Sequence, residues 1–208
     1  LFKKFHTDRK FNVDKNIVKE EKSYPDKPFI TSSLQQTAQN SFGFNVKKTM
    51  GIAQKLYENG KITYMRTDCT YINPEFSESL NEFITDKFGT EYYNLPKVKK
   101  VKGAQEAHEA IRPTDISNTL NDNYEEDDRK LYNLIVKRTI QSHMKPAIYN
   151  VNTINLVNSN TNDIGYFLSK QKEIKFKGYL IYKENQDKQN KLVEFKNEYK
   201  LLECSCYD

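Results

Sequence analysis

The sequence predicts an α+β protein in which a mostly helical block, residues 28–146, sits between a short N-terminal piece, 1–27, and a β-rich return, 147–208. Two observations carry this. Between Ser33 and Met144 apolar residues recur at helical spacing and the runs are bounded by capping residues. After Pro146 they alternate instead, in short stretches separated by Asn, Asp and Gly. No internal repeat interrupts this layout.

The first 27 residues are highly charged and end in Ser23-Tyr24-Pro25-Asp26-Lys27-Pro28, whose two prolines mark a connector. Ser33 then serves as the N-cap of a helix from Leu34 to Ser41 that Gly43 stops. A second helix is expected from Asn45 to Glu58, with Val46, Met50, Ala53 and Tyr57 as its apolar stripe. Lys61 to Asp68 is short, rich in β-formers and follows a helix stop, so it reads as extended. Asn73-Pro74 opens a well-marked helix: Asn as N-cap, Pro in the first turn, and Glu75 and Glu78 near the positive end of the dipole. Phe76, Leu80, Phe83, Ile84 and Phe88 form its apolar face. A basic loop, Lys97 to Lys102, leads to a short helix over Gln105 to Ile111 that Pro113 breaks, and a last helix runs from Glu126 to Met144. Strands are expected around Val151–Val157, Tyr166–Leu168 and Tyr179–Tyr182.

At 208 residues the chain suits one or two domains, long enough to bury a core without disulfides or metals. Its three cysteines, Cys69, Cys204 and Cys206, cannot all pair, which excludes a disulfide framework and favours a reducing, cytoplasmic compartment. No apolar run is long enough for a membrane span, and no Cys/His pairing suits structural zinc. The first residue is Leu, not Met, which suggests a piece of a longer protein. A net charge of +5 is compatible with an anionic partner, and Lys47, Lys48, Lys55, Lys61 and Arg66 gather in one stretch opposed only by Glu58. Such lysines either track a nucleic-acid backbone or simply solubilise a face.

Two positions could carry chemistry. A cation beside a phenol favours the phenolate and stabilises an anionic substrate. Arg66 follows Tyr64 by two residues, so in an extended segment the two side chains project from one face, as attack on a phosphodiester would require. Equally, Tyr64 could be an ordinary strand tyrosine, since the chain has 14 tyrosines. His108, between Glu106 and Glu109, could donate to a phosphate, shuttle a proton, or be a half-buried framework histidine. Nothing marks Cys69 as an activated thiol that would pair with His108 in a cysteine hydrolase. No phosphate-cradling glycine loop and no D-x-D carboxylate pair is present.

Five strings occur in order: Pro28 to Gln36 (PFITSSLQQ), Lys47 to Tyr57, Ile62 to Asp68 (ITYMRTD), Gln105 to Thr114 (QEAHEAIRPT), and Lys130 to Arg138. Together they resemble the type IA DNA topoisomerases, closest to the bacterial topoisomerase I branch, from Pro28 to about Ala147. The resemblance implies that Tyr64 attacks one DNA strand and keeps its 5′-phosphate, that Arg66 steadies the scissile phosphate, and that His108 contacts phosphate nearby. Thr63, Asp68 and Arg112 match the same motifs and are expected to support; Lys47 and Lys48 are expected to meet DNA. It also implies a helical catalytic domain, 28–146, inserted in a β-rich, antiparallel gate domain of which 1–27 and 147–208 are segments. The whole enzyme would act as a monomer on a single-stranded segment of negatively supercoiled DNA, without ATP. Its Mg2+ would be held by a Toprim domain that nothing in this chain matches, so the chain by itself offers no metal site and is expected to be inactive alone. Cys69 stands where the family commonly has Ser. The alternative reading is a non-catalytic single-stranded DNA-binding module, with cations on the backbone and aromatics on the bases.

Overall fold

The computed structural model describes residues 10–95, 108–121, 123–158, 166–182 and 198–200. The chain divides into two compact units: Tyr24–Pro146 with Gly178–Glu184, and Leu1–Ser23 with Ala147–Lys177 and Asn185–Asp208.

Among the described residues four α-helices build the first unit: α1 (Thr31–Phe42), α2 (Val46–Glu58), α3 (Pro74–Phe88) and α4 (Glu126–Ser142). α1 begins three residues earlier than Ser33 suggests. Ser33 lies inside the first turn, and its hydroxyl accepts the Ile30 N–H at 3.0 Å. Gly43 ends the helix in the left-handed conformation, φ 70°, as a side chain would resist doing. The Asn45 and Asn73 side chains cap α2 and α3, accepting from Lys48 N–H at 2.8 Å and Phe76 N–H at 2.7 Å. The apolar stripe of α2 is turned from the expected one. Thr49, Ala53 and Leu56 are its buried residues, whereas Val46 and Tyr57 are 59% and 40% exposed.

Two apolar clusters hold the unit together. One gathers Phe29, Leu34, Ala53, Leu56, Ile62 and Met65 with Leu131, Tyr132 and Ile135 of α4. The other gathers Ile72, Phe76, Leu80 and Ile84 with Ile140 and Met144. Tyr132 is fully buried, and its hydroxyl donates to Asn118 O at 3.1 Å. That desolvation pushes its phenol up to about 12.

Three segments differ from the sequence expectation. Lys61 to Asp68 is extended only locally: it bridges once, Ile62 to Pro113, and then bends. His108 to Ile111 is not helical; the chain runs extended, bridging Ile111 to Phe29 and Pro113 to Ile62, so its backbone groups pair across rather than along the chain. Lys97 to Lys102 and Gln105 to Ala107 lie outside the described residues. Gly178–Tyr182 forms a 3-10 helix, not a strand. Gly178, at φ 50°, lies so close to the Lys145 and Pro146 carbonyls that a Cβ would collide with them. Tyr179 N–H donates to Lys145 O at 2.9 Å, and Tyr179, Ile181 and Tyr182 pack on the second cluster.

The second unit is an antiparallel sheet in the order β3-β2-β1-β4, from β1 (Lys10–Ser23), β2 (Ala147–Asn158), β3 (Phe167–Phe176) and β4 (Glu198–Lys200). β1 pairs with β2 from Phe11↔Asn158 to Ser23↔Ala147, with one irregularity between Val13 and Lys15. The highly charged N-terminal run thus forms a 14-residue strand. Its glutamates meet lysines of β3: Glu21 pairs with Lys172 at 2.7 Å, and Glu20 pairs with Lys175. Phe11 packs edge-on against Phe167, ring centroids 5.2 Å apart. Among the described residues no helix is long and apolar enough to cross a membrane.

His143, at the end of α4, is 2% exposed, with Ser142 Oγ 3.0 Å from Nδ1 and Ser77 Oγ 3.5 Å from Nε2. Burial pushes its imidazole down to about 4. Below the unfolded-state value near 6.5 the unfolded chain takes up a proton that the folded chain refuses, so this stability is whole above about pH 6.5 and drains away towards pH 4. The loss amounts to roughly 3 kcal/mol. Denaturant unfolding at pH 7 and pH 4.5 should show His143→Asn losing visibly less stability on acidification than the unaltered chain; equal losses would reject a buried neutral imidazole.

Candidate active site

The three sequence strings with functional promise meet because their backbones are joined. Phe29 O accepts Ile111 N–H at 2.8 Å, Arg112 O accepts Thr63 N–H at 2.9 Å, and Lys61 O accepts Thr114 N–H at 3.0 Å. The Thr63 hydroxyl donates to Ala110 O at 2.6 Å and accepts Arg112 N–H at 3.0 Å. On the far side, the Thr31 hydroxyl contacts Met65 O at 2.8 Å and accepts Thr67 N–H at 2.9 Å.

This bracing fixes an alternation. Met65 and Thr67 are buried, while Tyr64, Arg66 and Asp68 are exposed. The buried pair anchors the segment to the core, and the exposed residues are available to a ligand. Arg66 and Asp68 line a cleft of about 460 Å³ whose other walls are His108 and Ile30, Thr31, Ser32 and Gln35 at the start of α1. A cationic guanidinium and an imidazole beside the N-terminal end of a helix form an environment suited to a phosphate.

Tyr64 is not among the residues lining that cleft. It stands two residues before Arg66, 43% exposed, with its ring edge-on to Tyr57, centroids 5.2 Å apart. Tyr57 is therefore a neighbour of the candidate nucleophile and not a core residue. Its helical spacing concealed this, because the same spacing also fits an apolar stripe. Ser32 and Gln35 belong to the Pro28–Gln36 string, but no local chemistry in the sequence singled them out.

The expected supporting residues divide. Arg112 is 8% exposed, stacked 4.1 Å from the Phe76 ring centroid. Its guanidinium pairs with Glu109 at 2.6 Å and donates to Pro113 O at 3.0 Å, so it braces the extended segment. Thr63 braces the same segment from the other side. Lys48 is held by Asp127 at 2.6 Å and Lys55 by Asp128 at 2.5 Å, both acids in the first turn of α4. The hydrogen bond that Lys55 donates to Asp128 raises its ammonium above the usual range. Lys47 is exposed and makes no ion pair among the described residues. Cys69 Sγ accepts Tyr71 N–H at 3.4 Å, an acceptor role a serine hydroxyl could equally fill. Among the described residues no three His, Cys, Asp or Glu side chains gather to hold a metal ion.

A family model described as DNA topoisomerase matches residues 1–205. DNA topoisomerase 1 of Rickettsia felis is 43% identical over 194 residues, 85% of this chain and 24% of that protein. DNA topoisomerase 1 type prokaryotic of Acanthamoeba polyphaga mimivirus is 43% identical over 176 residues, 78% of this chain and 20% of that protein. The structure of full-length topoisomerase I from Thermotoga maritima matches 96% of this chain and 34% of its own, with a TM-score of 0.79 and 33% identity. The chain thus spans about a quarter of the length of the curated relatives it matches.

If Arg112 braces the site's framework, Arg112→Ala should destabilise the chain by roughly 3 kcal/mol, because it leaves Glu109 without its partner in a largely buried setting. Denaturant unfolding measures this; a change under about 1 kcal/mol would show that the pair contributes no more than a surface ion pair.

Proposed function

The chain belongs to the DNA topoisomerase family of the bacterial type I kind, and from that premise we propose that it carries the strand-cleaving tyrosine of a type IA enzyme. Tyr64 is the nucleophile. Its phenolic oxygen attacks the phosphorus of one strand, the bond to the 3′-oxygen breaks, and the 5′-phosphate stays on the tyrosine. The phenolic proton is released and the departing 3′-oxygen gains one. One phosphoester is exchanged for another, so the reverse attack reseals the strand without ATP. Passage of a strand through the break relaxes negative supercoils.

Arg66 forks its guanidinium onto the non-bridging oxygens and offsets the charge that grows there. His108 contacts the same phosphate group from across the cleft. The observation that carries this reading is that Arg66, Asp68 and His108 line one cleft at the start of α1, with the exposed Tyr64 two residues before Arg66 in the chain. Asp68 and Thr63 support the segment. Lys47 is the lysine of α2 that we assign to the DNA backbone, whereas Lys48 would have to leave Asp127 to reach it. This capture of Lys48 and Lys55 also weakens the non-catalytic reading, which relied on those charges. The substrate is a single-stranded segment of DNA, the working enzyme is a monomer of the cytoplasm, and the magnesium carboxylates belong to a separate Toprim domain. Without that domain the segment relaxes nothing.

Tyr64→Phe removes one oxygen and keeps the ring, so in the full-length protein it should abolish the covalent adduct on a labelled single-stranded oligonucleotide and leave DNA binding intact. Arg66→Ala keeps the nucleophile but removes a charge-assisted contact of about 1.5–3 kcal/mol, so cleavage should slow roughly ten- to a hundredfold. Denaturing electrophoresis with magnesium reads both. A covalent adduct formed by Tyr64→Phe would overturn the assignment, and a purely reversible complex with the unaltered protein would favour the DNA-binding module.

A further inference from the structure

We propose that Thr31 is a positioning residue for strand cleavage, holding the backbone on both sides of Arg66 and so setting where its guanidinium meets the phosphate. This rests on the assignment of Tyr64 and Arg66 made above.

Thr31 opens α1, where a hydroxyl ordinarily serves its own helix. Elsewhere in the first unit that is the pattern: Thr37, Ser77 and Thr139 each donate to a carbonyl four residues back. Thr31 does otherwise. Its hydroxyl lies 2.8 Å from Met65 O and 3.0 Å from Thr67 O, and it accepts Thr67 N–H at 2.9 Å. Its own N–H donates to Thr67 O at 2.9 Å. A hydroxyl has one hydrogen and two lone pairs, so it can receive the N–H while donating to a carbonyl. The Ile30 N–H just before it is met by Ser33 instead, which leaves the Thr31 side chain to the 65–67 segment.

Those backbone groups flank Arg66. The Arg66 side chain is exposed and forms no ion pair with a carboxylate among the described residues, so its reach into the cleft is set mainly by where its backbone is anchored. Thr31 also lines that cleft. A residue that fixes the 65–67 turn from within the same wall controls the distance between guanidinium and phosphate without touching the reacting atoms. A displacement of about 1 Å in such a contact costs on the order of a hundredfold in rate.

The test uses the full-length protein, magnesium and a labelled single-stranded oligonucleotide, measuring the cleavage rate at saturating DNA and the DNA affinity separately. Thr31→Val keeps the branched shape and loses the hydroxyl; it should slow cleavage roughly ten- to a hundredfold. Its DNA affinity should stay within about twofold, and Thr31→Ser should restore the rate to a similar margin. In an Arg66→Ala background the same Thr31→Val change should add almost nothing, because the group it positions is gone. Where Thr31→Val fails to fold, as thermal unfolding would show, Thr31→Ala takes its place with the same expectations. Wild-type cleavage by the variant, an equal loss in both backgrounds, or a serine as poor as valine would overturn the proposal. Tyr64→Phe runs alongside: if it still forms the adduct, the underlying assignment falls, whereas an adduct abolished there but indifferent to Thr31 sinks the positioning role alone.

Discussion

The extended run from Ala110 to Thr114 is the seam on which the first unit's functional geometry depends. It cannot satisfy its own amides, as a helix would, so it takes partners from segments far away in the chain: Tyr71 O for Ala110 N–H, Phe29 O for Ile111 N–H, and Lys61 O for Thr114 N–H. Each bond ties a different loop to the same line. Ile111 at its centre is wholly buried in the first apolar cluster, so the seam is held by both polar and apolar forces. Because His108 stands two residues before it and Thr63 crosses its middle, the residues assigned to chemistry inherit their places from this pairing.

Several cations in this unit are spent on the framework. Arg112 lies over Phe76, and Arg138 lies 4.4 Å from the Phe29 centroid while pairing with Asp26 at 3.0 Å. Both cover aromatic faces that would otherwise meet water. Lys48 and Lys55 answer the acidic first turn of α4, where the negative charges also suit the positive end of the helix dipole. What remains for an anionic partner is a narrower set than the basic composition suggests. Arg66 is notable because no carboxylate among the described residues pairs with it.

Helix boundaries were mostly legible where capping chemistry is local, the start of α1, which lies before Ser33, being the exception. Asn73-Pro74 and the glycines at 43 and 89 mark boundaries through interactions within a few residues, and the structure places α3 where they indicate. Elements made by distant partners were not. The β1 strand reads as a charged tail until β2 supplies its ladder from more than a hundred residues away. The Gln105–Ile111 string has a helical composition, but its last four residues are held straight by Phe29 and Thr63. On α2, Leu56 and Tyr57 are neighbours that periodicity alone can assign either way; packing against α4 buries the leucine, and the tyrosine is left beside Tyr64. Of the residues the resemblance singled out, Arg66, Asp68 and His108 line one cleft, whereas Tyr64, also picked out by its spacing from Arg66, does not. The role of α1's first turn in the cleft was invisible, since it arises only when the segments meet.

α4 contributes Leu131, Tyr132 and Ile135 to one apolar cluster and Ile140 to the other. A single helix is thus shared by two cores, so its loss would loosen both. Amide hydrogens along the Ile111 seam, which leans on the first cluster, are therefore coupled to those of α3, which leans on the second.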